Sequence, residues 1–253
     1  MNQELVVTDL TRMSGGRVCV AGYSAAGQAI RLDWPPVLEH DLLRGGRPIA
    51  FPGALLECAL IKHRPKPPHT EDFMYDPASL RFVRRLDDAD WQAVLDRSRF
   101  DDVQGLFDQP ISEDFGHYVA DGAGPRSLGT LQPRSIAQAS YSPGADGTWD
   151  YRLSFSDQAG QFYRLKITDL TWHAYCDSLR ASGCEPTEIA DRATRLLKSR
   201  PVYLRLGLAR KWSKFPDRCY VQLNGIYTFP DYLEGKTFAD LRPPSGSSPE
   251  PKA

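Results

Sequence analysis

The sequence predicts a mainly β protein with helical insertions (α+β), in which two small, partly open β-barrels pack in one compact unit. Three observations lead there. Short runs of β-branched and aromatic residues recur in both halves of the chain. Turn sequences separate them, in a chain whose 253 residues include 20 Gly and 20 Pro. Helical spacing is confined to a few places that interrupt the strands. With 41% hydrophobic and 25% charged residues, the composition suits a globular protein with a sizeable core.

In the first half, "ELVVTDLTRM" reads as a strand, and "RVCVAGYS" with "QAIRLDW" as a hairpin about the turn "AAG". "PVLEHDLL" is expected to form a short helix. "FPGALLECALIKHRP" reads as a long buried strand, and "HTEDFMYD" as another that starts in a loop. "ADWQAVLDRSRF" and "DDVQGLFD" carry helical spacing, with Trp91, Val94 and Leu95 on one face of the first. They form an acidic insertion, about residues 87–115, in an N-terminal barrel of residues 1–120.

The change of composition in "GHYVADGAGPRSLGTL" marks the boundary to a C-terminal barrel, residues 121–235. "SIAQASYS", "TWDYRLSFSD" and "QFYRLKITDL" read as three strands joined by the hairpin turns "PGADG" and "QAG". "EPTEIADRATRLLKS" is the best helix: Pro186 sits in its first turn, acidic residues come early, and Lys198 comes late. "PVYLRLGLA" and "CYVQLNGIYTF" close the fold. The Pro/Ser-rich tail, residues 236–253, is expected to be disordered. Short strands around a helix fit OB-like barrels; two small sandwiches are the competing architecture. "VTDLTR" near the start recurs as "ITDLTW" at Ile167–Trp172, an echo that hints at two related units.

Several motifs resemble those of the bacterial dual OB-domain family. They are "LVVTDLTRM", "GRVCVAGY", the loop "PHTED", and the closing "VYLRLGLARKW" and "YVQLNGIYTFPDYL", in the family's order from about Leu5 to Leu233. The resemblance implies two OB-like barrels in one unit and a nucleic-acid-binding role in bacterial conflict or defence. The acidic insertion and the tail are the least typical parts.

Charge is balanced overall at −1 but unevenly placed. Ten acidic residues lie between Asp87 and Asp121 against Arg97 and Arg99, and nine basic residues lie between Arg192 and Arg218 against Asp217. The basic run is interleaved with aromatics, which suits phosphates and stacked bases of a single strand. The expected binding set is Tyr203, Arg205, Arg210, Lys211, Trp212, Lys214, Tyr220, Gln222 and Asn224. Alternation along the last two strands puts Tyr203, Arg205 and Gly207 on a wet face, where the glycine lets a ligand approach. Arg12 and Arg31 are a possible phosphate pair, with a turn-stabilising role for "TDLTR" as the other reading.

The leading expectation is a non-catalytic, cytoplasmic protein that binds single-stranded DNA or RNA. One alternative is an enzyme acting on nucleotides or nucleic acid through His69, Glu71 and Asp72, the one close group of acid/base side chains. Another is a protein-interaction module whose acidic insertion docks a partner. His173, among aromatics in "TWHAYC", reads as a packed residue. Five scattered cysteines without C-x-x-C spacing give neither a zinc site nor a disulfide framework, and no metal or cofactor is expected. Phosphate-loop, dinucleotide-turn, nucleophile-elbow and zinc-deaminase patterns are missing. "MNQELVVTDL" lacks a signal-peptide pattern, and no apolar run is long enough for a membrane span.

Overall fold

The computed structural model describes residues 2–144 and 147–242. The first half holds β1 (Asn2–Arg12), β2 (Arg17–Tyr23), β3 (Ala29–Leu38), the short pair β4 (Leu43–Arg44) and β5 (Arg47–Pro48), then β6 (Ala54–His63) and β7 (Asp72–Arg85). The five long strands form a closed barrel in the order β1-β2-β3-β7-β6. All neighbours are antiparallel except β3 and β7, which run parallel. Counted along the chain, the ring order is first, second, third, fifth, fourth, as in a five-stranded Greek-key barrel. Leu5, Val7, Val20, Ile30 and Leu56 alternate inward to fill it.

After α1 (Asp88–Arg97) come β8 (Arg99–Phe100), α2 (Val103–Phe107), β9 (Ser112–Glu113), β10 (His117–Ala120) and β11 (Leu128–Leu131). Next are the meander β12 (Ser135–Pro143), β13 (Trp149–Ser156) and β14 (Phe162–Lys166), helices α3 (Leu170–Ala181) and α4 (Pro186–Lys198), and finally β15 (Val202–Leu208) and β16 (Arg218–Thr228). A six-stranded sheet, β8-β11-β15-β16-β10-β9, and the three-stranded meander enclose one core. Among the described residues, a single parallel bridge, Ile167 to Leu223, joins the two sheets. The order of the closed barrel is thus repeated by β12, β13, β14, β16 and β15, but without a closed ring of hydrogen bonds, because β15 gives its other edge to β11.

Several expectations change. "PVLEHDLL" is not a helix of the α type: β3 runs through Leu38 and a short 3-10 turn follows at Glu39–Leu42. "TDLTWHAYC" leaves the strand pattern at Asp169, whose side chain accepts the Thr171 N–H and starts α3. The acidic insertion is no appendage: Val103, Leu106, Phe107 and Val119 belong to the second core, and Leu95 packs on Tyr203 and Tyr227. Residues 98–120 therefore pack with the second half rather than the first. Of the tail expected to be disordered, residues 236–242 are placed, and Phe238 is fully buried in the first core; residues 243–253 lie outside the described part. No helix among the described residues is long and apolar enough to cross a membrane.

The two halves share polar contacts. The two TDLT copies meet: the Arg12 N–H donates to the Thr168 carbonyl at 2.7 Å, and Thr11 bridges Asp169. The Tyr227 hydroxyl donates to the Thr8 carbonyl at 2.8 Å.

Candidate nucleic-acid interface

A cleft of about 510 Å³ opens where the barrel meets the second half. Its floor and walls come from the end of β1, the turn into β2, the middle of β3, and the facing ends of β15 and β16. Five arginines line it: Arg12, Arg17, Arg31, Arg64 and Arg210, with Asp33 as the one carboxylate on its walls. Trp34 lines it with 53% of its surface exposed. Gln222 and Asn224 supply amide groups.

The cations differ in how committed they are. Arg12 is exposed and has no carboxylate partner among the described residues. Arg17 donates to the Ser14 carbonyl and hydroxyl, at 3.1 and 3.3 Å, which holds it at the rim. Arg210 donates from Nη2 to Asp33 and Asp72, both at 2.6 Å, and Arg64 lies 3.6 Å from Asp33. A bound phosphate would compete with Asp33 for two guanidinium groups.

From Arg210 the chain leads directly to a second exposed group. Trp212 and Phe215 close a tight turn, ring centroids 5.8 Å apart, and Phe115 stacks on Phe215 at 6.0 Å. Trp212 and Phe115 are 56% and 89% exposed. The Lys214 ammonium lies over the Trp212 and Phe215 rings, and Lys211 is tied to Asp121 at 2.9 Å. Tyr220 is half-buried beneath this cluster, against Phe215 and Tyr118.

The structure thus brings together Arg12, Arg31, Arg210, Gln222 and Asn224 in the cleft, with Lys211, Trp212, Lys214 and Tyr220 beside it. Tyr203 and Arg205 are corrections. All of β15 is buried, because β11 and β16 pair with both its edges while α1 and the barrel cover the face expected to be wet. The Tyr203 hydroxyl donates to Asp96 and accepts from Gln92. The Arg205 guanidinium donates to Asp9 at 2.9 Å, to the Thr130 hydroxyl at 2.9 Å and to Tyr23 at 3.2 Å. Gly207 leaves no room for a ligand either: a Cβ there would lie 2.0 Å from Asn224 Nδ2.

His69, Glu71 and Asp72 do come together, but in the interior. Arg31 donates to Asp72 at 2.8 Å, to Glu71 at 3.1 Å and to the Ser127 hydroxyl at 2.5 Å. Glu71 also accepts the Ser127 N–H and O–H, at 2.6 and 2.9 Å. The His69 Nδ1 faces Arg31 at 3.3 Å and so must accept, leaving the proton on Nε2, which has no partner among the described residues. Burial, then the charges of Arg31 and Arg210, hold the ring neutral with its pKa lowered to about 3. Arg31 and the Ser127 hydroxyl engage both carboxylates, so the group ties the two halves together. His173 is packed as expected: its Nε2 donates to the Ile167 carbonyl at 2.8 Å and it stacks on Tyr151.

Sequence reasoning missed Arg17, Trp34 and Arg64. Trp34 reads as one more apolar residue in an alternating strand, and only the closed ring shows which face of β3 looks outward.

A closed five-stranded barrel of this order is an OB fold, a class that binds oligonucleotides and oligosaccharides. The chain belongs to the dual OB-containing domain family, whose sequence model matches residues 4–226. No curated protein matches the sequence.

Proposed function

We propose that the protein binds single-stranded nucleic acid without catalysis, as an accessory factor in the conflict setting that the family resemblance implies. The strand would run through the cleft and over the Trp212 turn, with phosphates on Arg12, Arg17, Arg64 and Arg210 and bases on Trp34 and Trp212. The observation that carries this reading is the cleft itself: five arginines, one carboxylate and a half-exposed tryptophan between two halves. Its chemistry is that of single-strand sites, where cations follow the backbone and aromatic faces take bases. Two OB-like units, the second open and beginning near residue 98, build it jointly.

The test is fluorescence anisotropy of labelled single-stranded DNA, single-stranded RNA and duplex, at low and moderate salt. Salt-sensitive binding that favours a single strand and weakens in Trp34→Ala is the expected result. No binding at micromolar protein, or wild-type affinity in both the Trp34→Ala and Arg12→Ala variants, overturns the proposal.

A further inference from the structure

Phe115 is the most exposed large apolar side chain among the described residues, with 89% of its surface in solvent. Its backbone is also uncommon. Asp108, Phe115 and Glu234 are the non-glycine residues with positive φ among those described, and Phe115, at 54°, is the one apolar residue of the three. Left-handed backbone is disfavoured for a bulky side chain, and it persists only where the surrounding structure fixes it.

Strand β16 does the fixing. Phe115 sits at the tip between β9 and β10, where the Asp114 N–H donates to the Gly116 carbonyl at 3.0 Å. The Asp114 carboxylate accepts from Arg218 at 2.6 Å, and its carbonyl accepts from the Tyr220 hydroxyl at 3.4 Å. The tip is thus anchored from below, while the ring it carries gains little burial. Strain of this kind gathers at ligand clamps, and an outward-held ring is what a stacking clamp needs.

The surroundings select the occupant. Phe115 stacks on Phe215 and Trp212 meets Phe215 edge-on, so two largely exposed rings flank a third. The Lys214 ammonium lies 5.7 Å from the Trp212 centroid and 5.5 Å from that of Phe215. It has no carboxylate partner among the described residues, whereas Lys211 and Arg218 are paired with Asp121 and Asp114. A protein surface laid over the rings would strip Lys214 of water, and interface cores are depleted in lysine. A nucleic acid stacks on the rings and brings a phosphate to the ammonium. The cluster also continues the cleft, since Arg210 lines the cleft and Trp212 follows two residues later. Resting on the function proposed above, we infer that Phe115 is a further stacking residue of the same single-strand site, taking a nucleobase beyond the one on Trp212.

The experiment titrates the full chain into labelled oligothymidylates and oligouridylates of roughly 4 and roughly 20 nucleotides, read by fluorescence anisotropy. Phe115→Ala should weaken the longer strand about tenfold, as the loss of one stack implies, and leave the shorter, seated in the cleft, unchanged. Phe115→Trp should keep the affinity. Phe115→Gly frees the left-handed backbone, so it should weaken the longer strand as Phe115→Ala does while the melting temperature holds or rises. A ring that only packed would lower binding and melting temperature together in Phe115→Gly, and that result overturns the inference. Equal losses at both lengths overturn it as well. Wild-type affinity in Phe115→Ala and Phe115→Gly at both lengths overturns it and leaves the cleft reading standing. No binding of any of these strands by the unmodified protein overturns both.

Discussion

The Asp9 carboxylate on the first barrel strand and the Arg205 guanidinium on β15 meet at 2.9 Å with neither side chain exposed to solvent. The pair joins residues 196 positions apart and ties one half to the other. Desolvating two charges is costly, and here the cost is offset by the further bonds of Arg205 to Thr130 and Tyr23.

Removing one partner leaves an uncompensated buried charge. Asp9→Ala is expected to lower the unfolding free energy by about 3–5 kcal/mol, measured by urea titration. Adding Arg205→Met to it should recover part of that loss, because the stranded charge goes while the hydroxyls of Thr130 and Tyr23 still lack their donor. A double variant less stable than Asp9→Ala alone would refute the assignment.

In the cleft, the two kinds of contact should separate. Trp34→Ala should weaken single-strand binding by about 1–3 kcal/mol with the salt dependence unchanged. Arg12→Ala with Arg17→Ala should reduce the slope of log affinity against log salt by about 1.4, two phosphates at roughly 0.7 each. Anisotropy titrations at four salt concentrations distinguish these outcomes.

Two glycines make contrasting predictions. A Cβ on Gly22 would lie 1.9 Å from the Val6 carbonyl oxygen, where only backbone can yield, so Gly22→Ala should destabilise the fold by about 3 kcal/mol. A Cβ on Gly207 meets a side-chain amide instead. Gly207→Ala should push Asn224 towards the cleft and impair binding more than stability. Thermal melts and anisotropy on both variants test the contrast.

Stability should fall on mild acidification. Burial lowers His69 to about 3 and His173 to about 4, so the unfolded chain takes up protons below about pH 6.5 that the folded chain refuses. Asp169 opposes this. Burial raises it to about 7, so its contribution is full below about pH 4 and is lost as pH rises towards 7. Between pH 6 and 5 these two histidines, joined by His117, which burial also lowers, outweigh one carboxyl, a net loss of about 1 kcal/mol or more per pH unit. His173→Gln, which can still donate to the Ile167 carbonyl, should flatten the profile in urea titrations at those two pH values.

How far the sequence reveals this molecule depends on what each residue answers to. The long strands of both halves, α1, α2 and α4 follow from local spacing and turn chemistry, whereas β10 and β11 lie in the stretch that reads as a boundary. Helix α3 does not, because "ITDLTW" continues an alternating strand until the Asp169 side chain turns inward to accept the Thr171 and Ile226 N–H groups. The same limit governs the site. Alternation separates Tyr203 and Arg205 from their leucine neighbours, yet says nothing of the first barrel and helix α1 that cover them. Arg12, Arg210 and Asn224 belong together only because β1 and the β15–β16 pair abut, a relation between residues about two hundred positions apart in sequence.

Phe238, fully buried in the core of the first barrel, follows every strand among the described residues. A ribosome releases that barrel's five strands long before it supplies their last core side chain. The opening half must therefore wait, incompletely filled, while the rest of the chain is made, and an affinity tag or fusion placed just after residue 237 would disturb the beginning of the protein rather than its end.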